Sequence, residues 1–158
     1  MQSRSGYHWK LRHSTYTFSC RFGALRYSDA PDYPEVAKLA IREMVRQTGP
    51  CQFDEDGLLK RGVIIRHLVL PGQLAGAKAV MDWVAEEFPP GTVLFSLMSQ
   101  YTPWGRASEF PEIDRKLRKS EIRSVQAYME NLGLDGFSQD GESAQREYTP
   151  NFDLTGIE

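Results

Sequence analysis

Between Pro34 and Gly49 the apolar residues Ala37, Ile41, Met44 and Val45 recur every third or fourth position, which predicts a helix with one buried stripe. Asp32 followed by Glu35 has the spacing of a capping box, Pro34 suits a first turn, and Gly49-Pro50 marks the stop. The pattern then changes. Val63-Ile64-Ile65-Arg66-His67-Leu68-Val69-Leu70 is β-branched and nearly continuous in apolar character, as expected of a parallel strand buried on both faces, and Pro71-Gly72 ends it. Helical spacing returns from about Gln73 to Phe88 through Leu74, Ala77, Met81, Val84 and Phe88. Pro89-Pro90-Gly91 breaks that helix, and Thr92 to Met98 reads as the next strand.

These segments form one strand–helix–strand unit of about 35 residues, the usual size for a parallel crossover. Phe53 to Lys60, with Gly57, reads as a polar connector ahead of it. A loop from Ser99 to Arg118 follows it. Ser120 is the expected cap of a further helix through Ile122, Val125, Met129 and Leu132, with Gly133 as its stop. Gly136-Phe137-Ser138-Gln139 predicts one more short strand. Alternation of this kind predicts an α/β domain with a parallel sheet. A closed eight-stranded barrel needs about 250 residues, more than the 158 present.

Charge divides the chain further. Residues 1–28 carry Arg4, Lys10, Arg12, Arg21 and Arg26 with no acid, whereas the remainder carries 14 basic and 21 acidic groups. Residues 1–24 read as an irregular basic N-terminus, without the apolar run of a secretory signal. Residues 140–158 read as an acidic C-terminal tail, and residues 25–139 as the folded domain. A net charge of -2 argues against nucleic acid as a partner. Apolar runs far short of the roughly 20 residues of a membrane helix argue against a membrane, and a cytoplasmic location is expected.

In parallel α/β folds ligands sit at the carboxyl ends of strands. Arg66 and His67 lie inside an apolar strand, and as neighbours they point to opposite faces, so one of them can look toward a ligand. An arginine there suits a carboxylate or a ribose hydroxyl; the plainer alternative is an ion pair with a helix acid. Ser99-Gln100-Tyr101-Thr102-Pro103-Trp104-Gly105 occupies the second such place; Gln and Tyr can hydrogen-bond a polar ligand, and Tyr or Trp can stack on a purine. Asp54-Glu55-Asp56-Gly57 reads as a solvated turn, since the other ligands of a calcium loop are missing. His8 and His13 have no third ligand at metal-site spacing, and Cys20 and Cys51 read as ordinary thiols.

Ile65-Arg66-His67-Leu68-Val69-Leu70-Pro71-Gly72, followed by Ser96-Leu97-Met98-Ser99-Gln100-Tyr101-Thr102-Pro103, resembles the C-terminal half of radical SAM proteins of the pyruvate formate-lyase activating enzyme-like group. Leu25 to Pro34 and Gly133 to Phe137 are similar to that group as well. The resemblance implies an incomplete parallel (βα) barrel, the C-terminal part of a (βα)6 half-barrel. It implies S-adenosylmethionine and a [4Fe-4S] cluster as cofactors, and a glycyl-radical-type protein as the partner from which a hydrogen atom is taken. It maps Arg66, Leu68, Gln100 and Tyr101 to the S-adenosylmethionine site. The family's C-x-x-x-C-x-x-C motif does not occur in this sequence, whose two cysteines are Cys20 and Cys51. Its glycine-rich segment is missing too, and Thr17 to Phe22 stands where the family has an acid-x-lysine strand. The expectation is therefore a truncated, inactive form whose cluster-bearing N-terminal half lies elsewhere. The alternative is a non-catalytic α/β fragment or accessory binding module.

Overall fold

The computed structural model describes residues 11–15 and 21–139; residues 1–10, 16–20 and the acidic tail 140–158 lie outside the described residues. In chain order the elements are β1 (Leu11–Thr15), α1 (Arg21–Ser28), α2 (Tyr33–Thr48), β2 (Gln52–Phe53), β3 (Leu59–Leu68), α3 (Leu74–Glu87), β4 (Val93–Met98), a 3-10 turn (Gly105–Glu109), α4 (Lys119–Leu132) and β5 (Gly136–Gln139). Strands β1, β3, β4 and β5 lie in that order and are parallel. β2 pairs antiparallel with the first residues of β3.

The sheet is therefore mixed and unclosed, which corrects the expectation of an incomplete parallel (βα) barrel, the C-terminal part of a (βα)6 half-barrel. The antiparallel hairpin arises where the sequence shows only a polar connector. Asp54 Oδ1 accepts the N–H groups of Asp56 and Leu58 at 3.1 and 2.8 Å, and Gly57 takes φ 77°. This tight turn returns the chain on itself, so β3 begins at Leu59 rather than at Val63. Gly62 (φ 143°) lies so close to Cys51 that a Cβ there would stand 2.7 Å from the thiol sulfur. The N-terminal segment also holds more structure than its composition indicates, with β1 at Leu11–Thr15 and α1 starting at Arg21.

Helices α2, α3 and α4 feed one cluster. Ala37 and Ile41 of α2, Ala77, Val80, Met81 and Val84 of α3, and Val125 and Met129 of α4 pack with Val63, Ile65, Phe95 and Leu97. These strand residues alternate, so they occupy one face of the sheet. Ile64, Arg66 and Leu68, with their register partners Leu94, Ser96 and Met98, occupy the other. A smaller cluster, Leu70, Ala107 and Ile113 with Tyr27, Leu68, Tyr101 and Phe110, caps that face at the carboxyl end of the strands.

Helix ends follow different chemistry from the sequence expectation. Asp32 precedes α2 but makes no side-chain cap, and Glu35 instead approaches Lys38 Nζ at 3.5 Å. Ser120 is not the cap of α4; Arg118 is, and Glu121 reaches back to its N–H at 2.8 Å. Gly133 closes α4 in the left-handed conformation (φ 66°).

Candidate functional site

Arg66 and His67 part company as alternation requires. His67 is 1% exposed on the helix-covered face, where its ring stacks on Phe95 at 6.1 Å between centroids. Arg66 is exposed on the opposite face, and its Nη2 donates to Met98 Sδ at 3.2 Å. A thioether is a weak acceptor, so a ligand carboxylate can replace it at little cost.

Two residues beyond Arg66 the chain reaches a cleft of about 340 Å3 at the carboxyl ends of β3 and β4. Leu68 and Leu70 form its floor from the β3 side. Tyr101 and Trp104 enter from the segment after β4, and Tyr27 with Ser28 from the end of α1. Arg106, Ala107 and Phe110 enter from the 3-10 turn and its exit, and Ile113 from just beyond. Of the residues that the sequence nominates, Leu68, Tyr101 and Trp104 line this cleft. Arg66 stands beside it on the same sheet face, one side-chain step back along β3. Gln100 is half-buried in the segment after β4 and is not among the lining residues.

The cleft wall is fixed by one acid. Glu112 Oε1 accepts Arg26 Nε and Nη2 at 2.9 and 2.7 Å and the Tyr27 hydroxyl at 3.0 Å. Gln73 Nε2 donates to the Tyr27 oxygen at 3.2 Å, tying the wall to the turn after β3. Tyr27 meets Phe110 edge-on at 5.3 Å, and Arg26 lies over both rings. Burial, followed by the bond to Glu112, raises the Tyr27 phenol above its ordinary value. Burial, with Asp114 and Tyr27 nearby, raises Tyr101 as well. Both hydroxyls therefore stay protonated at neutral pH; Tyr27 gives its hydrogen to Glu112, which leaves Tyr101 as the phenol that can donate to a ligand. Trp104 is 67% exposed at the rim of the cleft, and an indole is a side chain that can cover a planar group.

Tyr27, Arg106 and Phe110 were not found by sequence reasoning. Tyr27 belongs to a helix of eight residues and Arg106 to a 3-10 turn of five that Phe110 directly follows, elements too short to leave a periodic signal. The signal that could have found Tyr27 is its place in Leu25–Pro34, one of the segments that carries the family resemblance.

The residues do not fit an iron–sulfur cluster. Such a cluster takes several thiolates, and the sequence has two cysteines. Cys51 is at the other end of the sheet, beside Gly62 near the start of β3, with its Sγ 3.5 Å from the Thr92 carbonyl. Burial pushes that thiol up, away from the thiolate a metal needs. Cys20 lies outside the described residues. Among the described residues no group of three or more His, Cys, Asp or Glu is placed to hold a metal ion. No described helix is long and apolar enough to cross a membrane.

No family model matches the chain. It is 35% identical over 74 residues to the uncharacterized protein MJ0674 of Methanocaldococcus jannaschii. The match takes in 46% of this chain and 21% of that protein, so the chain spans about a fifth of the length of the relative it matches.

Proposed function

We propose that the chain supplies the adenosine-recognising side of an S-adenosylmethionine site in a radical SAM protein of the activating-enzyme type. The cluster ligands then come from another segment or chain, and the chain is not a catalyst alone. The cytoplasm is the expected compartment.

The observation that carries the reading is the strand-end cleft of about 340 Å3, which Tyr27, Tyr101, Trp104 and Phe110 line together. Aromatic faces suit a purine. The protonated Tyr101 hydroxyl suits a ribose oxygen, and Arg66 beside the cleft suits the ligand's carboxylate. When bound, the cofactor supplies a sulfonium that can be cleaved reductively. The residues of this chain bind and orient it and keep water off its base. An accessory binding module remains the second reading, favoured by the position of Cys51 far from the cleft.

Calorimetric titration with S-adenosylmethionine, S-adenosylhomocysteine and adenosine tests the assignment. Saturable binding is expected, weakened about tenfold by Tyr101→Ala and, for the two amino-acid-bearing ligands only, by Arg66→Ala. Binding of none of the three ligands, or binding indifferent to both substitutions, would overturn it.

A further inference from the structure

The start of α4 carries a cationic edge that the proposed site does not use. Lys116, Arg118, Lys119 and Arg123 are all exposed there. Glu121, the acid among them, is already bound by Arg115 at 2.8 and 2.9 Å and by two backbone N–H groups. Lys119, Arg123 and Gln126 are spaced by four and three residues, so they share one helix face.

That face is turned toward β5, because Gln126 Nε2 lies 3.3 Å from Ser138 Oγ. The two elements run in opposite directions. The Gly72 N–H, just past the carboxyl end of β3, donates to Glu121 in the first turn of α4, and β5 is parallel to its neighbour β4. Chain leaving β5 is thus directed toward the first turn of α4. From Gln126, Arg123 and Lys119 lie about 4.5 and 10.5 Å back along the helix. Positions 140 and 142 follow Ser138 by two and four residues, within a reach of at most about 7 and 14 Å. Those residues are Asp140 and Glu142, and the sequence from 140 to 158 holds five acids against the single Arg146.

We propose that the basic edge of α4 is a docking surface for the acidic segment that follows β5 in the same chain, with Asp140 and Glu142 meeting Arg123 and Lys119. Charge complementarity and the direction of β5 both select this occupant. The docked segment then sits at the carboxyl end of the sheet, the end that bears the cleft.

Amine acylation of the 158-residue chain at low salt, followed residue by residue by mass spectrometry, tests the proposal. Lys119 is expected to react about twofold to fivefold more slowly than in Asp140→Asn/Glu142→Gln, the range of an exposed ion pair. The protection is expected to vanish in molar salt. Lys60, whose ion pair with Asp54 (2.8 Å) is the same in both proteins, is the internal reference for comparing the two at one salt concentration. Circular dichroism verifies that the variant is folded, which its exposed polar changes should permit. Carbodiimide coupling supplies the second measurement: Lys119 should join to Asp140 or Glu142 within one chain. Equal Lys119 rates in the two proteins would overturn the proposal. So would coupling found only between isotopically distinct copies, which would assign the surface to a second chain.

Discussion

Arg66 and His67 are consecutive on β3, yet one side chain ends at the Met98 sulfur on the exposed face and the other is sealed against Phe95 beneath the helices. The period of two along a strand turns this into a difference in cost. Arg66→Ala removes an exposed side chain and should change stability by no more than about 0.5 kcal/mol. His67→Ala empties a filled site and should cost about 2–4 kcal/mol. Urea unfolding of the two variants checks this, and a larger loss for Arg66→Ala would reverse the assignment of faces.

Glu121 joins three parts of the chain. It accepts Gly72 N–H from the turn after β3, the Arg115 guanidinium, and the Arg118 N–H that opens α4. Arg115 is the main reason that its carboxyl is lowered from 4.5 to about 2. A carboxyl held low when folded favours the folded state above its unfolded value, and that contribution fades as the pH falls from about 4.5 to about 2. Glu121→Gln should therefore lose about 1–2 kcal/mol at pH 7 and progressively less toward pH 2. Denaturant midpoints at pH 7, 4 and 3 check the sign, and a gap that widened on acidification would contradict it.

Helices α2, α3 and α4 and strands β3 and β4 were legible because their buried positions are regular, whereas β1 and α1 fall in or against the segment that reads as irregular and were not. The stripe of α3, from Leu74 through Ala77, Met81 and Val84, and the run in β4 place those elements within a residue of their observed limits. β2 was not legible, since two exposed residues, Gln52 and Phe53, leave no alternation to detect. The barrel expectation failed for the same reason: the antiparallel hairpin is made by backbone and by Asp54, which composition reads only as a turn. In the candidate site, Tyr101 was found through strand-end position and Leu68 through the resemblance, while Tyr27 and Phe110 come from short segments distant in sequence. Only folding brings those four together.

Gly136 offers a test of the β4–β5 pairing. It lies opposite Phe95, and a Cβ at this position would run into the Phe95 backbone, carbonyl oxygen included. Backbone cannot swing aside as a side-chain tip can. Gly136→Ala should therefore detach β5 and cost about 2 kcal/mol or more. Hydrogen exchange should quicken at the β4–β5 amides and not at β1–β3. Unchanged protection at β4–β5 would show that the close approach is not needed.

Cys51 decides how the chain behaves toward iron. Its thiol is partly buried between Gly62 and the Thr92 carbonyl, at the end of the sheet opposite the aromatic cleft, and burial raises it above 9.0. A thiol so placed is a slow nucleophile and a poor ligand at neutral pH. Cys20 is the sole other thiol in the sequence. Anaerobic reconstitution with iron and sulfide should therefore leave the chain with well under the roughly four irons of a full cluster and without a broad thiolate-to-iron absorption band. A second chain that carries the three-cysteine motif should give both signals by itself, and this chain should co-elute with that iron only if the two associate. About four irons on this chain alone would mean that its own groups hold the cluster, and the division of labour proposed above would fall.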